Sequence, residues 1–188
     1  RDVERSRGLG DVYKRQNLRS DDLGLNWHPM SGVTGVYSES STGVLYGIND
    51  TLGQIVSSSD KGITWNVIVK SSDLNKWWNN AYLSDLAYDE INNKLYVTAQ
   101  WNSLFVIDLN NFKITDLTEN IRVSFKYDEN IANNLGSDTL SVRRLTTVAV
   151  DTSHPEIIYV GGANYKYRSD ASLYRSCDGG KTFYVINA

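Results

Sequence analysis

The chain is poor in the residues that would brace it by other means. Its 188 residues include one Cys, two Pro and one Met. The lone Cys177 rules out an internal disulfide framework and leaves the redox compartment open. No apolar run is long enough to span a bilayer. Neither sign of charge dominates: 19 basic against 22 acidic residues leave a net −3, which gives no electrostatic case for nucleic acid. The two histidines, His28 and His154, have no partner at metal-ligand spacing, so neither a metal nor a cofactor is expected. A phosphate loop and a nucleophile elbow are missing as well. What the chain does have is 12 Tyr, 5 Trp and 14 Gly. That composition suits a globular β-rich protein better than a disordered one, at a length able to bury one ordinary core.

Residues 1 to 16, RDVERSRGLGDVYKRQ, show neither strand alternation nor a helical apolar face, and hold five of the 19 basic residues. They resemble translated sequencing-adapter read-through and are set aside from the fold. With no initiator Met and no signal peptide, the native start is expected upstream.

From residue 17 onward the sequence repeats. VTGVYS (33–38), VLYGIN (44–49), GQIVSSS (53–59) and ITWNVIV (63–69) form one series. The order returns as LSDLAYD (83–89), KLYVTAQ (94–100), SLFVIDL (103–109) and FKITDL (112–117), then as LTTVAVD (145–151), IIYVGGA (157–163), SLYRS (172–176) and TFYVIN (182–187). Short β-branched and aromatic runs divided by Gly, Asn, Asp and Ser are strands joined by turns. Four strands, three times over, predict an all-β partial β-propeller. Its blades fall at about 33–69, 83–117 and 145–188, preceded by the last strand of another blade. Such an arc, cut from a larger ring, needs the remaining blades as partners to cover its apolar faces.

A turn recurs between third and fourth strands: RSDDLGLNW (19–27), SSSDKGITW (57–65) and RSCDGGKTF (175–183). Its Asp (Asp22, Asp60, Asp178) is placed to accept backbone N–H bonds one to three residues on. Gly24, Gly62 and Gly180 permit positive φ. Ser20, Ser58 and Ser176, with Thr64 and Thr182, add hydroxyl bonds, while Trp27, Trp65 or Phe183 packs into the sheet. The middle blade has VIDLNNFKI instead. These turns read as folding staples rather than as a catalytic carboxylate set.

The pattern resembles the Asp-box, or bacterial neuraminidase repeat, of sialidases, xyloglucanase-type glycoside hydrolases and sortilin-type receptors. The resemblance covers nearly all of 17–188 and implies an exported, extracellular propeller of six to eight blades whose ligands bind at the end opposite the Asp turns. At that end Trp77, Trp78, Trp101, Tyr165 and Tyr167 offer flat platforms for sugar rings, with Arg168 for hydroxyls; the bland reading of the tryptophans is inter-blade packing. Xyloglucanase-type enzymes carry a Val/Ile-Thr-Gly-Ile segment and then Leu-Tyr-Ala-Arg-Thr-Asp-Val/Ile-Gly-Gly, whose Asp is catalytic. Here VTGV (33–36) precedes LYGINDTLG (45–53), with Asp50 in the matching place, one residue short; Ile48 stands for the Arg, Asn49 for the Thr and Leu52 for the first Gly. The resemblance implies a glycoside hydrolase acting on a plant-type polysaccharide, with Asp50 as acid or base and the second carboxyl group on another propeller. Asp85, opening an innermost strand, is the one further candidate within the chain. The open alternatives are a turn-capping Asp50 in a non-catalytic propeller of sortilin or assembly-factor type, binding a protein or glycan, and a sialidase, for which no Phe/Tyr-Arg-Ile-Pro motif is present.

Overall fold

In a computed structural model of the chain the described residues are 17–74, 83–99, 103–125, 143–164 and 171–186. A two-stranded ribbon comes first, β1 (Leu18–Arg19) against β2 (His28–Pro29). The first four-stranded sheet holds β3 (Gly35–Glu39), β4 (Leu45–Asn49), β5 (Gln54–Ser58) and β6 (Asn66–Lys70), and a single turn of helix, α1 (Ser71–Leu74), follows it. The second holds β7 (Leu83–Asp89), β8 (Lys94–Ala99), β9 (Ser103–Asp108) and β10 (Lys113–Asp116), then α2 (Thr118–Phe125). The third holds β11 (Arg143–Val150), β12 (Ile158–Asn164), β13 (Ala171–Ser176) and β14 (Tyr184–Ile186). Each strand pairs antiparallel with its chain neighbours, so each sheet is an up-and-down meander, the form of a propeller blade. First strands of successive blades lie side by side, β3 by β7 and β7 by β11, on the inner side of the arc.

The core lies between blades. Side chains alternate across a strand, and in β8 this sends Leu95 and Val97 into a cluster shared with Ile48 and Ile55 of the first blade. Tyr96 points the other way, into a cluster with Leu145, Ile158, Val160 and Tyr174 of the third. Both faces of a central blade are therefore covered, which is why KLYVTA carries almost no exposed position while the outermost β10 and β14 are open. Each fully buried aliphatic side chain contributes about 1.5–3 kcal/mol, so a blade draws much of its stability from its neighbours. Met30, Val33 and Val56, with Trp65 against them, join the ribbon to the first blade in the same manner.

Two local features differ from the sequence expectation. The preceding blade supplies two short strands rather than one, because the turn at Ser20–Trp27 closes a hairpin that lets Leu18 pair with Pro29. The stretch after residue 117, which the strand pattern left between blades, begins with α2: Asp116 Oδ1 accepts the Thr118 backbone N–H at 2.8 Å, and Ile121 is fully buried against the second core. Among the described residues no helix is long and apolar enough to cross a membrane.

Candidate functional site

The three Asp turns share one geometry. In each, the Ser hydroxyl donates to the Asp carboxylate at 2.7–2.9 Å (Ser20 to Asp22, Ser58 to Asp60, Ser176 to Asp178). The same hydroxyl oxygen accepts the N–H of Gly24, Gly62 or Gly180 at 2.7–2.8 Å. The carboxylate reaches further than the sequence suggested. It accepts the backbone N–H four residues on, from Asn26, Thr64 or Thr182, at 2.8–2.9 Å. A side-chain bond closes the ring at 2.6 Å: the Asn26 amide, the Thr64 hydroxyl or the Thr182 hydroxyl. The residue before each Gly is also left-handed, at φ 59° for Leu23 and Lys61 and 72° for Gly179. The Asn26 bonds bring the Asp22 pKa down to about 2, and those to Thr64 hold Asp60 well below its ordinary range. At Asp178 burial works in the opposite sense, yet the bonds from Thr182 and Ser176 prevail and its pKa also falls to about 2. Carboxylates so fully engaged are structural.

The aromatic that ends each turn does not behave uniformly. Phe183 is buried and Trp65 packs on the Met30 cluster. Trp27 is not: it is 58% exposed, its indole N–H donating to the Gly24 carbonyl at 3.0 Å. The ribbon is only two strands wide, so no sheet face is there to receive the ring.

At the opposite strand ends the two halves of the motif that singled out Asp50 come together. The Thr34 hydroxyl donates to the Ile48 carbonyl at 2.9 Å and accepts the Asp50 N–H at 2.7 Å. Buried Asn49 binds the Gly32 carbonyl at 3.1 Å and accepts the Leu52 N–H at 3.1 Å. The backbone on both sides of Asp50 is thus pinned, whereas its side chain is exposed and accepts no hydrogen bond from any described residue. Every other described aspartate has a carboxylate partner: besides the turn residues, Asp21 takes Arg19, Asp73 the Lys70 N–H, Asp89 Asn92, Asp108 Asn110, Asp116 the Thr118 N–H and Asp151 Ser153.

Asp85 is placed at the same end but is committed. Its Oδ2 accepts the Thr147 hydroxyl at 2.6 Å and the Val148 N–H at 3.0 Å, and its Oδ1 accepts the Leu86 N–H at 2.8 Å. It clips β7 to β11. Between the two carboxylates in influence is Tyr37, which sequence reasoning passed over as an ordinary strand residue. A register shift between Val36 and Ser38 leaves Tyr37 as the extra residue of β3. Burial, then Asp50, then Asp85 push its phenol pKa upward. The expected sugar platforms Trp77, Trp78, Trp101, Tyr165 and Tyr167, and Arg168 with them, lie outside the described residues. Among the described residues no group of three or more His, Cys, Asp or Glu is arranged to hold a metal ion.

No protein-family model and no curated protein matches the chain. Solved structures do. The chain is similar to the GH74 xyloglucanase from Xanthomonas campestris over 91% of its own length and 27% of that chain, with a TM-score of 0.59 and 16% identity. A chain of the nidogen/laminin complex matches over 86% of this chain and 52% of that one, at TM-score 0.57 and 12% identity. YCF48 bound to D1 peptide matches over 90% and 46%, at TM-score 0.54 and 13% identity. The chain therefore spans between about a quarter and a half of these structures. At such identities the likeness shows the fold alone, that of a partial β-propeller.

Proposed function

We propose that this chain is part of an exported, carbohydrate-active Asp-box propeller, a xyloglucanase-like glycoside hydrolase in which Asp50 is one of two catalytic carboxyl groups. The observation that carries the reading is that Asp50 alone among the described aspartates has an exposed, unengaged carboxylate on a rigid backbone. A catalytic acid or base needs fixed placement and a free oxygen to meet substrate or water. Glycoside hydrolysis takes two such groups, one protonating the leaving oxygen and the other activating water or attacking carbon. Asp85, held by three donors, is a poor second. As the resemblance implies, the partner carboxylate is proposed to come from another propeller. Trp77, Trp78, Trp101, Tyr165, Tyr167 and Arg168 are proposed as sugar-binding positions around it, and the remaining blades of the ring as the arc's structural partners.

The test is reducing-sugar release from xyloglucan and other β-glucans by the complete protein. Asp50→Asn is expected to lower the rate at least about 10³-fold, within the range general acid–base groups supply, while leaving binding of the polymer in place. Full activity in Asp50→Asn refutes the assignment. A non-catalytic propeller is the second reading, favoured by the fold likeness to a propeller with a peptide bound; it predicts no sugar release at all and indifference to that substitution.

A further inference from the structure

We propose that the Tyr37 hydroxyl and the Asp50 carboxylate form one binding site for carbohydrate hydroxyl groups, the phenol donating and the carboxylate accepting. The inference rests on the carbohydrate reading above but not on hydrolysis. Tyr37 is 40% exposed, and its hydroxyl makes no hydrogen bond to a described residue. The ring does not point away along β3. Its tip lies back over Gly35, so close that a Cβ there would come within 2.5 Å of Cε2 and 2.8 Å of the phenolic oxygen. Gly35 is opposite Ile48 in the β3–β4 ladder, and its neighbour Thr34 holds the Asp50 N–H. The fold thus brings the phenol tip back to the strand end where Asp50 emerges. The bulge at Tyr37 turns the side chain, and the missing Cβ at residue 35 makes room for it.

A free donor and a free acceptor at one rigid strand end match the chemistry of a sugar hydroxyl, which gives one hydrogen bond and takes another. The upward shift of the phenol, from burial first and the two carboxylates next, keeps the proton on Tyr37 through neutral and mildly alkaline conditions. Asp85 stays engaged with Thr147 and Val148 and shapes the field without taking a ligand.

Isothermal titration of the full chain with a xyloglucan heptasaccharide and with cellotetraose tests this. Tyr37→Phe removes only the hydroxyl and is expected to weaken binding about 5-fold to 10-fold. Asp50→Ala should do at least as much. Gly35→Ala, which keeps the phenol but displaces it, should match Tyr37→Phe, with circular dichroism confirming that each variant is folded. Wild-type affinity in Tyr37→Phe, or no binding of either sugar by the unaltered protein, overturns the proposal. Xyloglucan hydrolysis measured on the same preparations separates the two readings. Binding that depends on Tyr37 without sugar release removes the hydrolase and leaves this site. Sugar release with a silent Tyr37→Phe does the reverse.

Discussion

Replacing Gly180 with alanine, and Gly179 beside it, separates two effects that usually arrive together. Both residues are left-handed, at φ 87° and 72°. A Cβ on Gly179 would meet nothing within 4 Å, whereas one on Gly180 would sit 2.9 Å from Leu117 Cδ1 and 3.6 Å from Ile158 Cδ1. Leu117 ends the outermost strand region of the second blade and is buried, so Gly180 is where the third blade's Asp turn presses on its neighbour. Gly179→Ala carries only the left-handed cost of a Cβ, about 1–2 kcal/mol. The other copies set the lower end, because Leu23 and Lys61 occupy this position at φ 59°. Gly180→Ala carries the same backbone cost plus overpacking of about 1–3 kcal/mol, for a total of about 2–5 kcal/mol.

Urea unfolding followed by tryptophan fluorescence measures both variants against the unaltered chain. Leu117→Ala, which opens the crowded spot, should recover part of the Gly180→Ala loss in a double-mutant cycle, with a coupling of about 1 kcal/mol or more. Equal costs for the two glycine variants, or strict additivity with Leu117→Ala, would refute the claim that this turn is an inter-blade contact.

Two further outcomes follow from the same turns. Phe183→Ala should cost about 3–5 kcal/mol, as removal of a buried aromatic does, while Trp27→Ala, taking away an exposed ring, should stay within about 0.5 kcal/mol; thermal melts of the pair check the contrast. Asp22 and Asp178 have folded pKa values of about 2 against an ordinary 3.8, and Asp60 is lowered too. A depressed carboxylate stabilises the fold above its unfolded pKa and loses that contribution as pH falls through its folded one. The urea midpoint should therefore hold steady from neutral pH to about 4 and then fall toward pH 2, and Asp178→Asn should flatten that fall.

Blade architecture was legible because it depends on short-range signals. Strands such as KLYVTA and SLFVID announce themselves by composition, and the Ser-x-Asp-x-Gly turns mark where third and fourth strands meet. What escaped depends on contacts between distant residues. The pairing of Leu18 with Pro29, two residues a side, is too short to show in a pattern. The helix α2 owes its stability to Ile121 buried in the core shared by the second and third blades, a tertiary reason that propensity does not carry. Tyr37 reads as one more aromatic in VTGVYS; only the register shift and its approach to Gly35 reveal that the ring lies back over the start of its own strand.

The same distinction decides between the aspartates. By sequence, Asp50 is the catalytic candidate that the resemblance implies, with turn capping as its alternative, and Asp85 is one further candidate near a strand end. Their carboxylates are used differently. Asp85 reaches across to Thr147 and Val148 and so is spent on holding two blades together. The turn after Asp50 is capped instead by Asn49, through the Leu52 N–H, and Thr34 takes the Asp50 N–H. With its local structural tasks assumed by Asn49 and Thr34, the Asp50 carboxylate is left facing solvent. An exposed charge of that kind costs little to keep, and no described residue donates a hydrogen bond to it. Its replacement by Asn should leave the unfolding free energy within about 0.5 kcal/mol of the original, so a loss of hydrolysis in that variant is attributable to the site. A large loss of stability in Asp50→Asn would show that the carboxylate has a structural partner, and would remove the ground on which it was separated from the other aspartates.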